Sequence, residues 1–324
     1  MKRFIWVLLI LSLGASFAMA GGRPDAAEAA ERWPTRPVNM VVAFGAGGNS
    51  DMNARAIATH LTAILGQPFV ITNVGAAGGT VAAAQVRDAT PDGYTMLVHQ
   101  ISLNVARAAG VIDFTFEDLA PVCVFSRGND SVIAVRADSP WHSMEELIAY
   151  SQANPYTIRW AANTGATTHW IAIAALNAGA RLNVVAAGGS GERIPLLLGG
   201  HMDVIPIPLA MIEDHEALGT VRVLATSSTE RPPSRPDIPT LLESGVDVGF
   251  EYNNTFFMPR GTSPVIIERL NEAVRQVVQT NRAYQEQIAG FGQIPVWMST
   301  EDTVELFRSE LYALMAISHI IQGN

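Results

Sequence analysis

The sequence predicts an α/β chain on a largely parallel sheet, and three observations carry that prediction. Short apolar runs of strand length alternate with segments of helical periodicity. Turns rich in glycine and small polar residues separate them. No fixed-period repeat or low-complexity segment interrupts the alternation.

The elements follow in order. Gly21 to Glu31 reads as a flexible leader, and order is expected to begin near Trp33. Val38 to Phe44 is a strand, Gly45 to Ser50 a glycine-rich turn, and Asp51 to Leu65 a helix with Met52, Ala56, Leu61 and Leu65 near one face. Phe69 to Thr72 is the next strand, followed by a second glycine-rich turn at Gly75–Gly79 and a helix from Val81 to Asp88. Pro91-Asp-Gly93 turns the chain into a third strand at Tyr94 to Val98. Val132 to Val135 is a strand, and Ser143 opens a helix with Glu146 at capping-box spacing. Thr157 to Ala161, Val184 to Ala186, Met202 to Ile207 and Val221 to Thr226 are strands, and His169 to Ala178 and Arg193 to Leu198 are helices. Four prolines make Arg231 to Thr240 irregular. A short strand at Phe256 to Met258 precedes amphipathic helices at Pro264 to Gln279 and Thr303 to Ile317.

Composition excludes several functions. The 324 residues include 21 basic against 30 acidic ones, a net charge of −9, which argues against a nucleic-acid partner. Lys2 is the single lysine, so Schiff-base chemistry and a P-loop are ruled out. Residues 1–20 read as a signal peptide: Lys2 and Arg3, an apolar run from Phe4 to Phe17, and a small-x-small site at Ala18-Met-Ala20. Cleavage after Ala20 leaves 19 basic residues against 30 acidic, a net of −11, and an exported soluble chain. Cys123 stands alone in an apolar run and is expected to be buried and inert.

Four strands run into turns of Gly, Ser, Thr and Asn, each followed by a helix. Such turns also serve as plain connections, but four together aim backbone N–H groups and helix N-termini at one place, which suits an anion. Catalytic constellations are weak. Gly45-Ala-Gly47 fails as a dinucleotide fingerprint at Ser50 and at Asn73. Gly188–Glu192 fails as a nucleophile elbow. The seven histidines show no metal-ligand spacing, so no metal, cofactor or catalytic residue is expected. His169, at a helix start beside hydroxyls, is the histidine best placed to meet a ligand.

An ordered set of motifs then becomes recognisable. Trp33-Pro-Thr-Arg-Pro37, Val41-Val-Ala-Phe44 and Gly47-Gly-Asn-Ser-Asp51 resemble the opening of the substrate-binding proteins of tripartite tricarboxylate transporters, the Bug family. The resemblance continues through Leu65–Pro68, Asn73 with Gly78-Gly79, Pro91–Thr95, Gly189-Ser-Gly191, Leu198–Gly200, Asp203, Arg231, Asp237–Thr240 and Pro259–Pro264. It implies a two-domain, periplasmic-binding-protein-like (type II) α/β fold with a hinged cleft. Residues 33–128 with 253–324 would form one domain and 129–252 the other. It further implies a monomer that binds a small organic acid and delivers it to membrane permease subunits. Carried onto this chain, the family's site gives Phe44, Gly47, Gly48, Ser50 and Asp51 from the first loop and Gly78, Gly79 and Thr80 from the second. The other domain supplies Gly165, Thr167, Thr168, His169, Gly189 and Ser190. Asp51 would cap its helix or order a water rather than meet an anion directly.

The departures are specific. Gly45-Ala46 replaces the family's Pro-Pro, Val74–Ala76 its Arg-Pro-Gly, and Ala186–Gly189 its Pro-Tyr-Lys-Gly; Asn253–Thr255 stands where the family has Trp-x-Gly. Small neutral residues thus predict a roomier or differently shaped site. Rival readings are an exported enzyme using His169 with Asp203, and a ligand-sensing partner of a membrane signalling protein.

Overall fold

The computed structural model describes residues 26–128, 131–232 and 234–322. The expected signal peptide and its cleavage site lie outside the described residues. Along the chain the strands are β1 (Val38–Val42), β2 (Phe69–Asn73), β3 (Thr95–His99), β4 (Leu119–Gly128), β5 (Ser131–Arg136), β6 (Arg159–Ala162), β7 (Asn183–Ala186), β8 (Val204–Pro208), β9 (Val221–Thr226), β10 (Tyr252–Pro259) and β11 (Gln293–Ile294). They form two sheets, ordered β11-β4-β10-β3-β1-β2 and β7-β6-β8-β5-β9.

Neither sheet is purely parallel. β1 pairs parallel with β2 and β3, but β10 enters antiparallel between β3 and β4. In the second sheet β6 runs parallel to β7 and β8, while β5 lies antiparallel to both β8 and β9. The reversals have one cause. β4 leaves the first sheet at Gly128, β5 opens the second at Ser131, and the chain returns through β10, whose first residue pairs with Gly128. The two crossings therefore lie side by side.

The inner strands of each sheet are buried on both faces and read as near-continuous apolar runs, whereas the edge strands β2 and β7 are partly exposed. Met40, Val42, Cys123 and Phe256 face the helices Asn49–Leu65 and Pro264–Thr280; Val41, Leu97 and Phe257 face Thr80–Arg87 and Thr300–Ala316. Burial raises the Cys123 thiol pKa well above its usual range, so the side chain is an inert core group. Helix Pro264–Thr280 buries Ile266, Leu270, Ala273, Val274, Val277 and Val278, the one-sided spacing that makes it legible in sequence.

Two segments depart from expectation. Part of the expected flexible leader is a helix, Ala26–Glu31. Arg269 Nη1 donates to the Glu31 carbonyl at 3.0 Å, and the buried Ala30 and Trp33 pack into the core of the first sheet. The chain's end, expected to lie wholly with the first sheet, bridges both. Phe307 packs under the first sheet, whereas Leu314 and Ile321 join Trp160, Trp170 and Ile171 under the second. Among the described residues no helix is long and apolar enough to cross a membrane.

Candidate ligand cleft

The cleft lies between the two sheets, where loops following the strands' C-terminal ends meet. From the first sheet it is lined by Phe44, Gly48, Asn49, Ser50 and Gln100. From the second come Asn163, Thr167, Thr168, Gly189, Ser190 and the buried Arg193, and the buried Tyr252, first residue of β10, lines it too. The cavity measures about 60 Å³. At 10–15 Å³ per water that is room for about four to six water-sized groups.

Three helices begin here, and none has a side-chain cap. Asn49–Leu65 starts after Gly48, Thr167–Asn177 after Ala166, and Ser190–Leu198 after Gly189. Three helices elsewhere are capped by Ser143, Asn281 and Ser299, while others, such as Pro264–Thr280, are not. A helix start leaves backbone N–H groups without intrahelical partners and carries partial positive charge. Two of these donors make long bonds from one sheet's side to the other: Asn49 N–H to Ser190 Oγ at 3.4 Å, and Thr167 N–H to Ser102 Oγ at 3.4 Å. No carboxylate lines the cavity among the described residues.

Of the fourteen residues expected at the site, Phe44, Gly48, Ser50, Thr167, Thr168, Gly189 and Ser190 line it. The others lie outside the lining, and most of them hold it together. Asp51 turns away: its carboxylate accepts from Gly47 N–H at 2.9 Å, Arg55 Nε at 2.9 Å and Asn73 Nδ2 at 3.0 Å. Burial works to raise its pKa, but the bonds from Arg55, Gly47 and Asn73 outweigh it and hold the carboxyl below its usual range. Asn73 Nδ2 also donates to the Phe44 carbonyl, so Asp51 and Asn73 together fix the first loop. Thr80 donates its hydroxyl to the Ala77 carbonyl. Gly79, at φ +94°, packs on His99 and Ala43, and Gly165 packs on Ala106 and Val111.

Gly78 is a spacer. At φ +67° it abuts the loop before helix Thr167–Asn177, and a Cβ there would lie 2.7 Å from the Thr164 carbonyl oxygen. The glycines of the first loop meet Gly189–Gly191 in the same way; a Cβ on Gly191 would stand 3.4 Å from the Gly47 carbonyl. Small residues here let backbone approach backbone across the cleft.

His169 is not in the cavity lining. It is partly buried on helix Thr167–Asn177, and its Nδ1 has no partner among the described residues. Asp203 is fully engaged by Arg159, through N–H, Nε and Nη2, each at 2.8 Å. The two residues are therefore not hydrogen-bonded to each other among the described residues. Among the described residues no group of three or more His, Cys, Asp or Glu is placed to hold a metal.

The small neutral loop residues do not leave the cleft without charge, because Arg193 enters it. This side chain, 6% exposed, enters from helix Ser190–Leu198 and restores a positive charge that the loops lack. Its Nη1 donates to the Pro206 carbonyl at 2.9 Å, its Nε has no partner, and it makes no ion pair among the described residues. Burial lowers its pKa to about 10, partly offset by Tyr252 and Glu192, so the guanidinium stays charged at neutral pH. Tyr252 shares a 2.8 Å hydrogen bond with the Thr167 hydroxyl. Arg193 lies three residues after Ser190, hence on the same helix face, and that spacing is the available sequence signal.

Comparisons agree with this architecture. The family described as "Tripartite tricarboxylate transporter family receptor" matches residues 53–322. The chain is 31% identical over 313 residues to Protein BugT of Bordetella pertussis, covering 94% of each chain. The structure of periplasmic binding protein BugD superposes with a TM-score of 0.80 at 26% identity, covering 89% of this chain and 98% of that one. Rpa4515 of R. palustris, solved with adipate, superposes at 0.79 and 26% identity with the same coverage. On that sequence match and that shared fold, the chain belongs to the tripartite tricarboxylate transporter receptor family, the family of the Bug proteins.

Proposed function

We propose that this protein is a periplasmic receptor that captures a small organic acid between its two sheets and delivers it to the permease of a tripartite transporter. The observation that carries the reading is the convergence of three uncapped helix N-termini, one from the first sheet's side and two from the second's, on a cavity lined by no carboxylate of the described residues. Donors positioned in this way select an anion without performing chemistry on it. BugD is a periplasmic binding protein, and Rpa4515 was solved with adipate, which supports an organic acid as ligand class.

The mechanism is a population shift. The two sheets are joined by the adjacent crossings at β4–β5 and β10, about which they rotate as a monomer. An acid contacting both sides gains its full set of bonds only when the cleft is shut, and so favours the closed form. The size of the cavity favours an acid of about four to six heavy atoms over a long chain. Calorimetry of the mature protein with acetate, propanoate, lactate, succinate and adipate tests this reading. Stoichiometric binding without turnover, strongest among the shorter acids and accompanied by a smaller radius of gyration, is expected. Turnover, or binding of none of these acids, overturns it.

A further inference from the structure

Resting on the receptor reading, we infer that Arg193 is the counter-ion of the ligand's carboxylate and takes it side-on, through the Nε and Nη2 edge of the guanidinium. A buried arginine that only supports structure is normally paired or has its donors satisfied. Arg193 is buried with one protein bond, from Nη1 to Pro206. Its Nε is buried without a hydrogen-bond partner among the described residues, while the side chain lines the cleft. With Nη1 committed, the free edge is the Nε–Nη2 pair, two parallel donors whose spacing matches the two oxygens of one carboxylate. The neighbouring Glu192 does not take that edge: its carboxylate lies against Gly188 and Gly45.

The placement also defines what the rest of the ligand meets. Phe44, Pro206 and Pro208 give the cavity apolar walls, and the helix starts at Gly48 and Gly189 supply N–H donors. The assigned substrate is therefore a short acid with one carboxylate on Arg193 and a small polar or apolar remainder toward the helix starts. Arg193 sets specificity for the planar, bidentate carboxylate over its neutral isosteres.

The test is a charge cycle. The tightest-binding acid of the series above and its primary amide are titrated into the wild type and into Arg193→Gln and Arg193→Lys. The wild type should prefer the acid by at least about 30-fold, the loss typical when one partner of a buried charged pair is removed. Arg193→Gln should erase that preference with little change in amide affinity. Arg193→Lys should retain part of it, because an ammonium keeps the charge but loses the planar fork. Thermal unfolding without ligand shows whether each variant is folded, and the wild-type comparison of acid with amide needs no variant. Equal affinity of the wild type for both, or acid affinity in folded Arg193→Gln within threefold of wild type, overturns the pairing while leaving the receptor reading intact. Failure of every acid to bind the wild type overturns both.

Discussion

Gly78→Ala should prop the cleft open. The added Cβ would lie 2.7 Å from the Thr164 carbonyl oxygen, 3.1 Å from the Ala166 nitrogen and 3.2 Å from the Gly165 carbonyl carbon. Those atoms are backbone on the opposite side of the cleft and cannot swing away. Relief requires the two loops to separate by several tenths of an ångström, and the 3.4 Å bonds Asn49–Ser190 and Thr167–Ser102 have no slack for it. Overpacking of this kind costs about 1–3 kcal/mol. The cost falls on the closed form, so affinity should drop roughly 5- to 150-fold. A second cost, about 1–2 kcal/mol, comes from alanine at φ +67°. It applies to open and closed forms alike and lowers stability without changing affinity. Gly66→Ala isolates that second cost, because Gly66 sits at φ +73° with nothing within 4 Å of an added methyl group and lies at a helix end away from the cleft. Both variants should lose similar stability in thermal unfolding. Calorimetry should then show weakened acid binding in Gly78→Ala and unchanged binding in Gly66→Ala, with scattering showing a more open Gly78→Ala at equal ligand. Acid affinity in Gly78→Ala within twofold of Gly66→Ala would refute the spacer role.

Two further outcomes follow from titratable groups. Asp51→Asn should destabilise the protein by about 1–3 kcal/mol at neutral pH, because Gly47, Arg55 and Asn73 lose a charged acceptor. The folded-state pKa of Asp51 is depressed, so its contribution is present above about 3.8 and disappears as pH falls through the lower folded value. The melting-temperature gap between wild type and variant should thus be constant above pH 5 and shrink below pH 4. Glu310 behaves oppositely: burial raises its carboxyl to about 8, against a bond from Asn104 Nδ2 at 3.3 Å and with help from Glu251. Its stabilising neutral form is complete below about 4.5 and is lost as pH climbs toward 8, a decline on the order of 2 kcal/mol after discounting its partial exposure. Glu310→Gln should flatten the fall in melting temperature between pH 5 and pH 8.5; an unchanged slope would show that Glu310 does not cause it.

What the sequence reveals depends on whether the relevant signal is local. β1, β2, β3 and β9 read off within two residues of their observed ends, because each is an apolar run stopped by turn residues. β10 is legible only as Phe256–Met258, yet it begins at Tyr252. Its early part is polar, and Asn254 is tolerated there because it donates to Ser126 Oγ at 3.0 Å across the sheet. That partner is distant in the chain and invisible to periodicity. Helix Ser102–Ala108 escapes a sequence reading for a similar reason: it is short and buried nearly all round, so it shows no polar face. The antiparallel insertions of β5 and β10 arise from the double crossing, which is a property of topology rather than of any segment. At the site, the turns and their helices are legible as glycine-rich sequence. Their division of labour is not. Gly78 and Asp51 differ from Gly48 and Ser50 only in which way the folded loops face.

Net charge misleads about this cleft, and Arg193 shows why. Several other arginines sit in exposed ion pairs: Arg36 with Asp92, Arg231 with Glu243, Arg275 with Glu272. Such pairs at the surface are close to neutral in effect and contribute little individually. An acidic chain can therefore hold a positive cleft, provided that one cation is kept away from its many carboxylates. Keeping it unpaired has a thermodynamic consequence. In this structure Arg193 is 6% exposed, and burying a charge without a counter-ion costs several kcal/mol. Closure without an anion bears that cost, whereas closure on a carboxylate offsets it with two charged hydrogen bonds. The arginine thus sharpens the difference between empty and occupied protein. The same group that selects the ligand's charge also makes the closed shape a signal that the ligand is present.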